Sequence, residues 1–213
     1  MPASLPESLH DLLRTAQLWR GGDSSDTGPA QWTCTHLSGR LVELSGAGNA
    51  APVTAAMGLV LESQERGEPA AWVCPPNRTY YPPDVAACGI DLSALVTVFI
   101  SGGQQAAQVG DRLLRSGAFG LVVLDLGRDS FIPLALQGRL VTLAKRHSAV
   151  VVCVTEKGPE QASLGSMVSL RAEVVRTQVG FSRFECTINV LKDKTRGPNW
   201  THSEVIHAPD GLC

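Results

Sequence analysis

The sequence predicts an α/β fold, a mostly parallel sheet flanked by helices on both faces and carrying an antiparallel C-terminal extension. Two observations predict it. Between residues 41 and 154, short continuous apolar runs alternate with segments of helical spacing. Strands rich in Val and Leu on both faces mark a parallel sheet buried under helices on each side. After residue 160 the pattern becomes strict alternation. Val168, Leu170, Ala172 and Val174 are separated by Ser169, Arg171 and Glu173, and Phe184, Cys186, Ile188 and Val190 by Glu185, Thr187 and Asn189. A period of two marks half-exposed strands.

Taken in order, residues 4–19 have helical spacing at Leu5, Leu9, Leu12, Leu13 and Ala16, and residues 1–20 form an N-terminal helical segment. Residues 21–31, with GGDSSDTGP from Gly21 to Pro29, form a flexible linker by composition. Residues 32–207 are the core and 208–213 a tail. Leu41 to Leu44 is a strand and Gly46 to Ala51 a small-residue loop. Val53 to Arg66 is a helix with Val53, Met57, Val60 and Leu61 on one face and Gly67 as its stop. Ala70 to Cys74 is a strand, Pro75 to Pro83 an irregular Pro-rich loop, and Leu95 to Ile100 a strand. Gly103 to Ser116 is a helix with Ala106, Val109 and Leu113 inward. Leu121 to Leu124 is an apolar strand ending at Asp125. Phe131 to Arg146 is a helix with Ile132, Leu136, Leu140 and Leu143 inward. Its basic Lys145-Arg146-His147 end complements the helix dipole. Ala149 to Val154 is a strand, and Gln178-Val179-Gly180 supplies a turn between the two late strands.

Composition excludes several classes. The chain has 213 residues, 44% of them apolar, and a net charge of −2. That is long enough for one well-buried domain and too apolar for a disordered chain. It lacks the basic signature of a protein that coats nucleic acid. The N-terminus has no basic region followed by an apolar one, and no run reaches the ~18 apolar residues of a membrane span. Six scattered cysteines without a C-x-x-C pair, three of them (Cys74, Cys153, Cys186) inside apolar strands, read as buried thiols. This suits a reducing cytoplasm. The five histidines lack ligand spacing, so no metal site is expected.

A strand, a small-residue loop and a helix are the setting of a phosphate-binding loop, G-x-x-x-x-G-K-[ST]. The chain there reads Gly46-Ala47-Gly48-Asn49-Ala50-Ala51-Pro52-Val53. The first glycine is kept at Gly46, the second is Ala51, the lysine is Pro52 and the metal-binding hydroxyl is Val53. Proline supplies neither a cation nor an N–H, though it is comfortable in a first helical turn. Valine cannot coordinate a metal. A charge-assisted contact is worth roughly 1.5–3 kcal/mol, so these changes together cost at least about a hundredfold in nucleotide affinity.

Three segments, in order, resemble the RecA recombinase core. They are GRLVELSG (39–46), GIDLSALVTVFISGGQQAAQVGDRLLRSGAFGLVVLDLG (89–127) and FECTINVLKDKTRGP (184–198). The similarity runs over about 41–207 and implies a RecA-like core with a degenerate nucleotide site and no cofactor. By this resemblance the phosphate lysine falls on Pro52, its neighbouring hydroxyl on Val53, and the catalytic glutamate near Asn77. The aspartate ending the metal-site strand is kept as Asp125. The two lysines that reach across to a neighbouring subunit's ATP match Lys192 and Lys194. The two DNA-binding loops match 127–131 and 155–167, both shortened. A weak DNA contact is expected at Lys157, Arg171, Arg176 and Arg183.

Among RecA relatives this inventory resembles the ImuA family of SOS mutagenesis accessories. Leu18-Trp19-Arg20 before the linker fits that family, while its P-G-G-G segment is replaced by Leu37-Ser38-Gly39. The resemblance implies a non-catalytic protein that binds RecA, an ImuB-type polymerase-like protein and an error-prone DnaE-type polymerase. It implies that DNA is bound weakly or indirectly. A SulA-like inhibitor of the division protein FtsZ is the alternative, and a DNA-binding RecA paralogue a further one.

Overall fold

A computed structural model describes residues 31–47, 51–128 and 131–207. The N-terminal helical segment, most of the linker, residues 48–50 and the tail lie outside the described residues. The elements are α1 (Cys34–Leu37), β1 (Leu41–Ser45), α2 (Ala51–Glu65), β2 (Ala70–Cys74), α3 (Pro82–Ala87), β3 (Leu95–Phe99), α4 (Gly103–Ser116), β4 (Leu121–Gly127), α5 (Leu134–His147), β5 (Val150–Thr155), β6 (Leu170–Gly180), β7 (Arg183–Asp193) and β8 (Thr201–His207).

One sheet of eight strands runs in the order β3-β2-β4-β5-β1-β6-β7-β8. All pairings from β3 to β6 are parallel, and β6–β7 and β7–β8 are antiparallel. This is the fold class that the alternation predicts. The extension begins one strand later than the periodicity implies, because β6 still pairs parallel to β1 through Val42–Leu170 and Ser45–Glu173. The side chains of the central strands alternate between two cores. Val42, Leu44, Trp72, Val123, Val152, Leu170 and Ile188 pack under α2. Leu41, Ala71, Val73, Val122, Leu124, Val151 and Cys153 pack under α4 and α5. Among the described residues, no helix is long and apolar enough to cross a membrane.

The local differences from the expected elements have physical reasons. The stretch 75–83 is not wholly irregular. Pro76–Arg78 forms a 3-10 turn, and α3 starts on Pro82 and Pro83, since proline fits a helix's first turn. Helix α4 buries Ala106, Ala107, Gly110 and Leu114, while Val109 and Leu113 sit half-buried at the rim. A Cβ at Gly110 would lie 3.3 Å from both Leu124 and Leu140, so small residues bring the helix close to the sheet and move its buried stripe by one position. In α2, likewise, Ala55, Ala56 and Leu59 join Met57 and Val60 in the core. Helix α5 begins at Leu134, after Pro133, which leaves Phe131 exposed outside it. The β6–β7 turn falls at Phe181-Ser182, because β6 continues through Gly180. Strand β8, an edge strand with mostly exposed side chains, carries too little apolar alternation to be seen in the sequence.

The end of the extension is anchored by one buried carboxylate. Asp193 accepts from Arg40 Nη2 at 2.6 Å, from the Thr195 N–H at 2.8 Å and from Trp200 Nε1 at 3.2 Å. Its side chain is fully buried and that of Arg40 is 13% exposed. Removing one partner of such a pair leaves the other desolvated and uncompensated. Asp193→Ala is therefore expected to lower unfolding free energy by about 3 kcal/mol in urea titration. A loss under about 1 kcal/mol would show that the anchor carries little.

Candidate functional site

The carboxyl edge of the parallel strands is where an open α/β sheet places its ligand site. Here β1 ends at Ser45, and the Gly46 N–H donates to the Thr155 carbonyl at 3.2 Å. Helix α2 then opens on Ala51 and Pro52, both buried, with Val53 half-buried against the core beneath α2. The positions that the resemblance assigns to a phosphate lysine and a metal-binding hydroxyl are thus packed as apolar core. Asn77 is exposed on the 3-10 turn after β2, and its amide has no acid–base function.

The same turn delivers Arg78. Strands β2 and β4 are neighbours, so the end of β2 reaches Asp125 near the end of β4. Arg78 Nε and Nη2 each lie 3.3 Å from Asp125 Oδ1, and Arg78 Nη1 pairs with Glu156 Oε1. Glu156 in turn accepts from Arg128 Nε at 2.8 Å through its other oxygen. Asp125 is 1% exposed. Gly127 has φ +56°, and a Cβ there would lie 2.6 Å from Arg78 Nε, so a side chain at this position would displace the guanidinium.

Burial pushes the Asp125 carboxyl above its ordinary pKa, and Arg78 pulls it part of the way back. Glu156 is held below its ordinary value by its hydrogen bond from Arg128, with Arg78 adding to the effect. For Arg78, burial favours loss of the proton, but Asp125 and Glu156 outweigh it and keep the guanidinium charged. A divalent cation beside a bound nucleotide does not fit this arrangement. A fixed cation already lies on the retained carboxylate, and the phosphate-side positions are Pro52 and Val53.

A second network lies over β1. Glu43 is fully buried and accepts from Thr155 Oγ1 (3.3 Å), Ser163 Oγ (2.8 Å) and the Leu164 N–H (2.9 Å). Lys157 Nζ lies 3.3 Å and Arg171 Nε 4.0 Å from its oxygens. The four residues expected to touch DNA therefore divide. Lys157 is turned inward onto Glu43, and Arg171, 5% exposed, donates to the Gly158 and Gln161 carbonyls. Both are corrected from surface cations to internal ones, because each neutralises or satisfies buried groups. Arg176 and Arg183 are exposed, with Arg176 stacked 5.0 Å over the Phe184 ring.

Lys192 is half-buried in β7, and Lys194 is exposed just beyond it, with its Nζ on the Ser166 carbonyl. Burial lowers the Lys192 pKa, and the like charge of Lys194 lowers it further. Sequence reasoning missed Arg78, Glu43 and the pairing role of Glu156. Their signal is strand order, which brings 78, 125 and 156 to one edge.

No protein-family model matches the chain. A stretch of 130 residues is 34% identical to the protein RecA of Lactobacillus delbrueckii subsp. bulgaricus, covering 55% of this chain and 39% of that protein. Another of 129 residues is 33% identical to RecA of Lactobacillus acidophilus, covering 55% and 35%. A third, of 122 residues, is 30% identical to RecA of Picosynechococcus sp., covering 52% and 35%. The fold is RecA-like. The chain spans less than two-fifths of the length of these relatives.

The Arg78 network predicts a pH-dependent variant. Asp125 has a raised native pKa, so its penalty is absent below the ordinary carboxylate range and grows as pH rises through the native value. Glu156, with a lowered native pKa, contributes stability above that range through its arginine partners. Arg78→Met removes the compensation from both. It is expected to cost about 2–4 kcal/mol at pH 7.5 and much less at pH 4, read by urea unfolding. An equal cost at both pH values would show that charge compensation is not the role of Arg78.

Proposed function

We propose that this protein is a non-catalytic, RecA-like accessory of SOS-induced mutagenesis and translesion DNA synthesis, similar to ImuA and acting in the cytoplasm. Its partners on this reading are RecA, an ImuB-type polymerase-like protein and the error-prone DnaE-type polymerase complex, with DNA bound weakly or indirectly. The observation that carries the non-catalytic reading is Arg78 lying on Asp125, 3.3 Å from its carboxylate, in a fold whose phosphate-side positions are the buried Ala51 and Pro52 and the half-buried Val53. Similarity to RecA proteins supports the setting in DNA repair.

A mechanism follows from this asymmetry. A RecA-type filament places ATP between subunits, one giving the phosphate loop and the next a pair of lysines. This chain keeps Lys192 and Lys194, two positions apart around the end of β7, and lacks the loop chemistry at Ala51, Pro52 and Val53. It docks by its lysines on a nucleotide-bearing RecA end, through charge-assisted contacts, and offers no site for the next subunit. The result is a cap that limits or modulates filament growth.

Two measurements test this. Fluorescent ATP with Mg²⁺ should bind no tighter than about millimolar, with no hydrolysis, and Pro52→Lys should not restore activity, since the metal hydroxyl and base positions are also changed. Micromolar binding would overturn the non-catalytic reading. Lys192→Ala with Lys194→Ala should weaken binding to ATP-loaded RecA at least tenfold while leaving ImuB binding intact. Unchanged RecA affinity would reject the cap, and capture of FtsZ in place of RecA would favour the SulA-like reading.

A further inference from the structure

Strand β8 is an edge of the sheet, paired to β7 on one side and open on the other. An open edge presents a row of unpaired N–H and C=O groups, and proteins ordinarily blunt it with lysine, proline or a bulge. The strand reads THSEVIH, with no lysine and no proline. Its register with β7 runs from Asn189–Thr201 to Arg183–His207 without a shift. The pairing also decides which backbone groups are open. The Val190 N–H donates to the Trp200 carbonyl at 3.0 Å, so Trp200 and the even positions after it turn their backbone groups to β7. Thr201, Ser203 and Val205 turn theirs outward.

The side chains divide between the two faces of the sheet. His202 and Glu204 lie opposite Ile188 and Cys186, which belong to the core under α2, and Trp200 and Ile206 pack against the same core. Along the edge this face reads Trp200, His202, Glu204, Ile206, apolar at both ends and polar in the middle. The other face carries Thr201, Ser203 and Val205. All three are exposed, and Ser203 Oγ shares a hydrogen bond of 3.0 Å with Thr187 Oγ1.

We propose that β8 is the seam of a homodimer, in which two copies of the chain pair their edges antiparallel about a twofold axis at Ser203 and join their sheets into one. A second copy is the occupant because the strand is complementary to itself in this register. A twofold axis normal to the sheet lets only residues of the same face meet. With the axis at Ser203, His202 faces Glu204 of the second copy, and Trp200 faces its Ile206. On the other face Thr201 meets Val205. Symmetry repeats each pair, and all are pairings that sheets favour: aromatic with β-branched, and polar with polar. An axis at Glu204 would set two carboxylates directly opposite one another, which is destabilising. An axis at Val205 would set Glu204 against Ile206. The outward backbone groups of Thr201, Ser203 and Val205 meet their counterparts and continue the ladder. The same patch serves both copies, as a closed twofold dimer requires. The proposal is independent of the reading of Lys192 and Lys194.

Analytical ultracentrifugation of the full chain tests this, with circular dichroism to check that each variant is folded. The wild-type chain should pass reversibly from monomer to dimer as its concentration rises. Ser203→Pro removes an N–H that faces outward and none that is bonded to β7, so it should weaken the dimer about tenfold or more and keep the fold. His202→Glu sets carboxylates against each other across the seam and should also weaken it. Adding Glu204→Lys to that change restores opposite charges and should recover the dimer. A wild-type chain that stays monomeric up to about 1 mM would overturn the proposal. So would a dimer that Ser203→Pro and His202→Glu both leave intact. Loss in His202→Glu without recovery in the double variant would overturn the register. A monomeric chain whose Ser203 and Val205 amides gain protection from hydrogen exchange only when RecA is added would assign the edge to that partner instead.

Discussion

An ionised carboxylate taken out of water needs a cation or a set of donors, or it gives up its charge. Asp125, nearly fully buried at the end of β4, meets that requirement with the guanidinium of Arg78. Much of the ligand edge depends on this contact. Arg78 comes from the turn after β2, so the contact fixes that turn. It also takes Glu156 at the end of β5, and Glu156 takes Arg128 after β4. Three connections, those after β2, β4 and β5, are thus linked through Arg78 and its partner Glu156. The glycine at 127 is what leaves room for Arg78.

The two networks are joined by consecutive residues. Glu156 belongs to the arginine cluster and Lys157 to the Glu43 cluster. The start of the β5–β6 connection is therefore fixed from both sides, and Arg171 from β6 closes it from beneath. This explains why the connection, in the place of a DNA-binding loop by resemblance, is tightly held over its first half. The charge that would have met a phosphate backbone is used within the protein. What remains outward is Arg176, Arg183 and Lys194, with Lys192 half-buried at the end of β7; Asp193, between the two lysines, turns its carboxylate to Arg40 and Trp200.

The alternation of apolar runs and helical segments makes the parallel core legible in the sequence, because a strand buried on both faces leaves a continuous apolar run. Strands β2 and β4 and helix α4 begin where the pattern puts them. In α4 the sequence places Ala106 correctly inward, but the stripe shifts from Val109 and Leu113 to Ala107, Gly110 and Leu114, because Ala107 and Gly110 carry little apolar signal while Gly110 sets how closely the helix sits. Strand β8 was invisible because an edge strand need bury little. At the site, the loss of lysine and hydroxyl at Pro52 and Val53 was visible in the residues themselves. Arg78 was not, because its meaning depends on β2 lying beside β4, and strand order is not written in local periodicity. Lys157 and Arg171 looked like surface cations for a similar reason, since Glu43 is distant from both in sequence and sits in a strand that reads as apolar.

An internal guanidinium stands on Asp125, the position that the resemblance assigns to a metal site. Manganese titration followed by electron paramagnetic resonance addresses it directly, using the wild-type chain, Arg78→Ala, and Arg78→Ala with Asp125→Asn. The account predicts no saturable manganese binding to the wild-type chain. It predicts one new site in Arg78→Ala between Asp125 and Glu156, lost again when Asp125 is neutralised. Saturable binding to the wild-type chain that disappears on Asp125→Asn would contradict it.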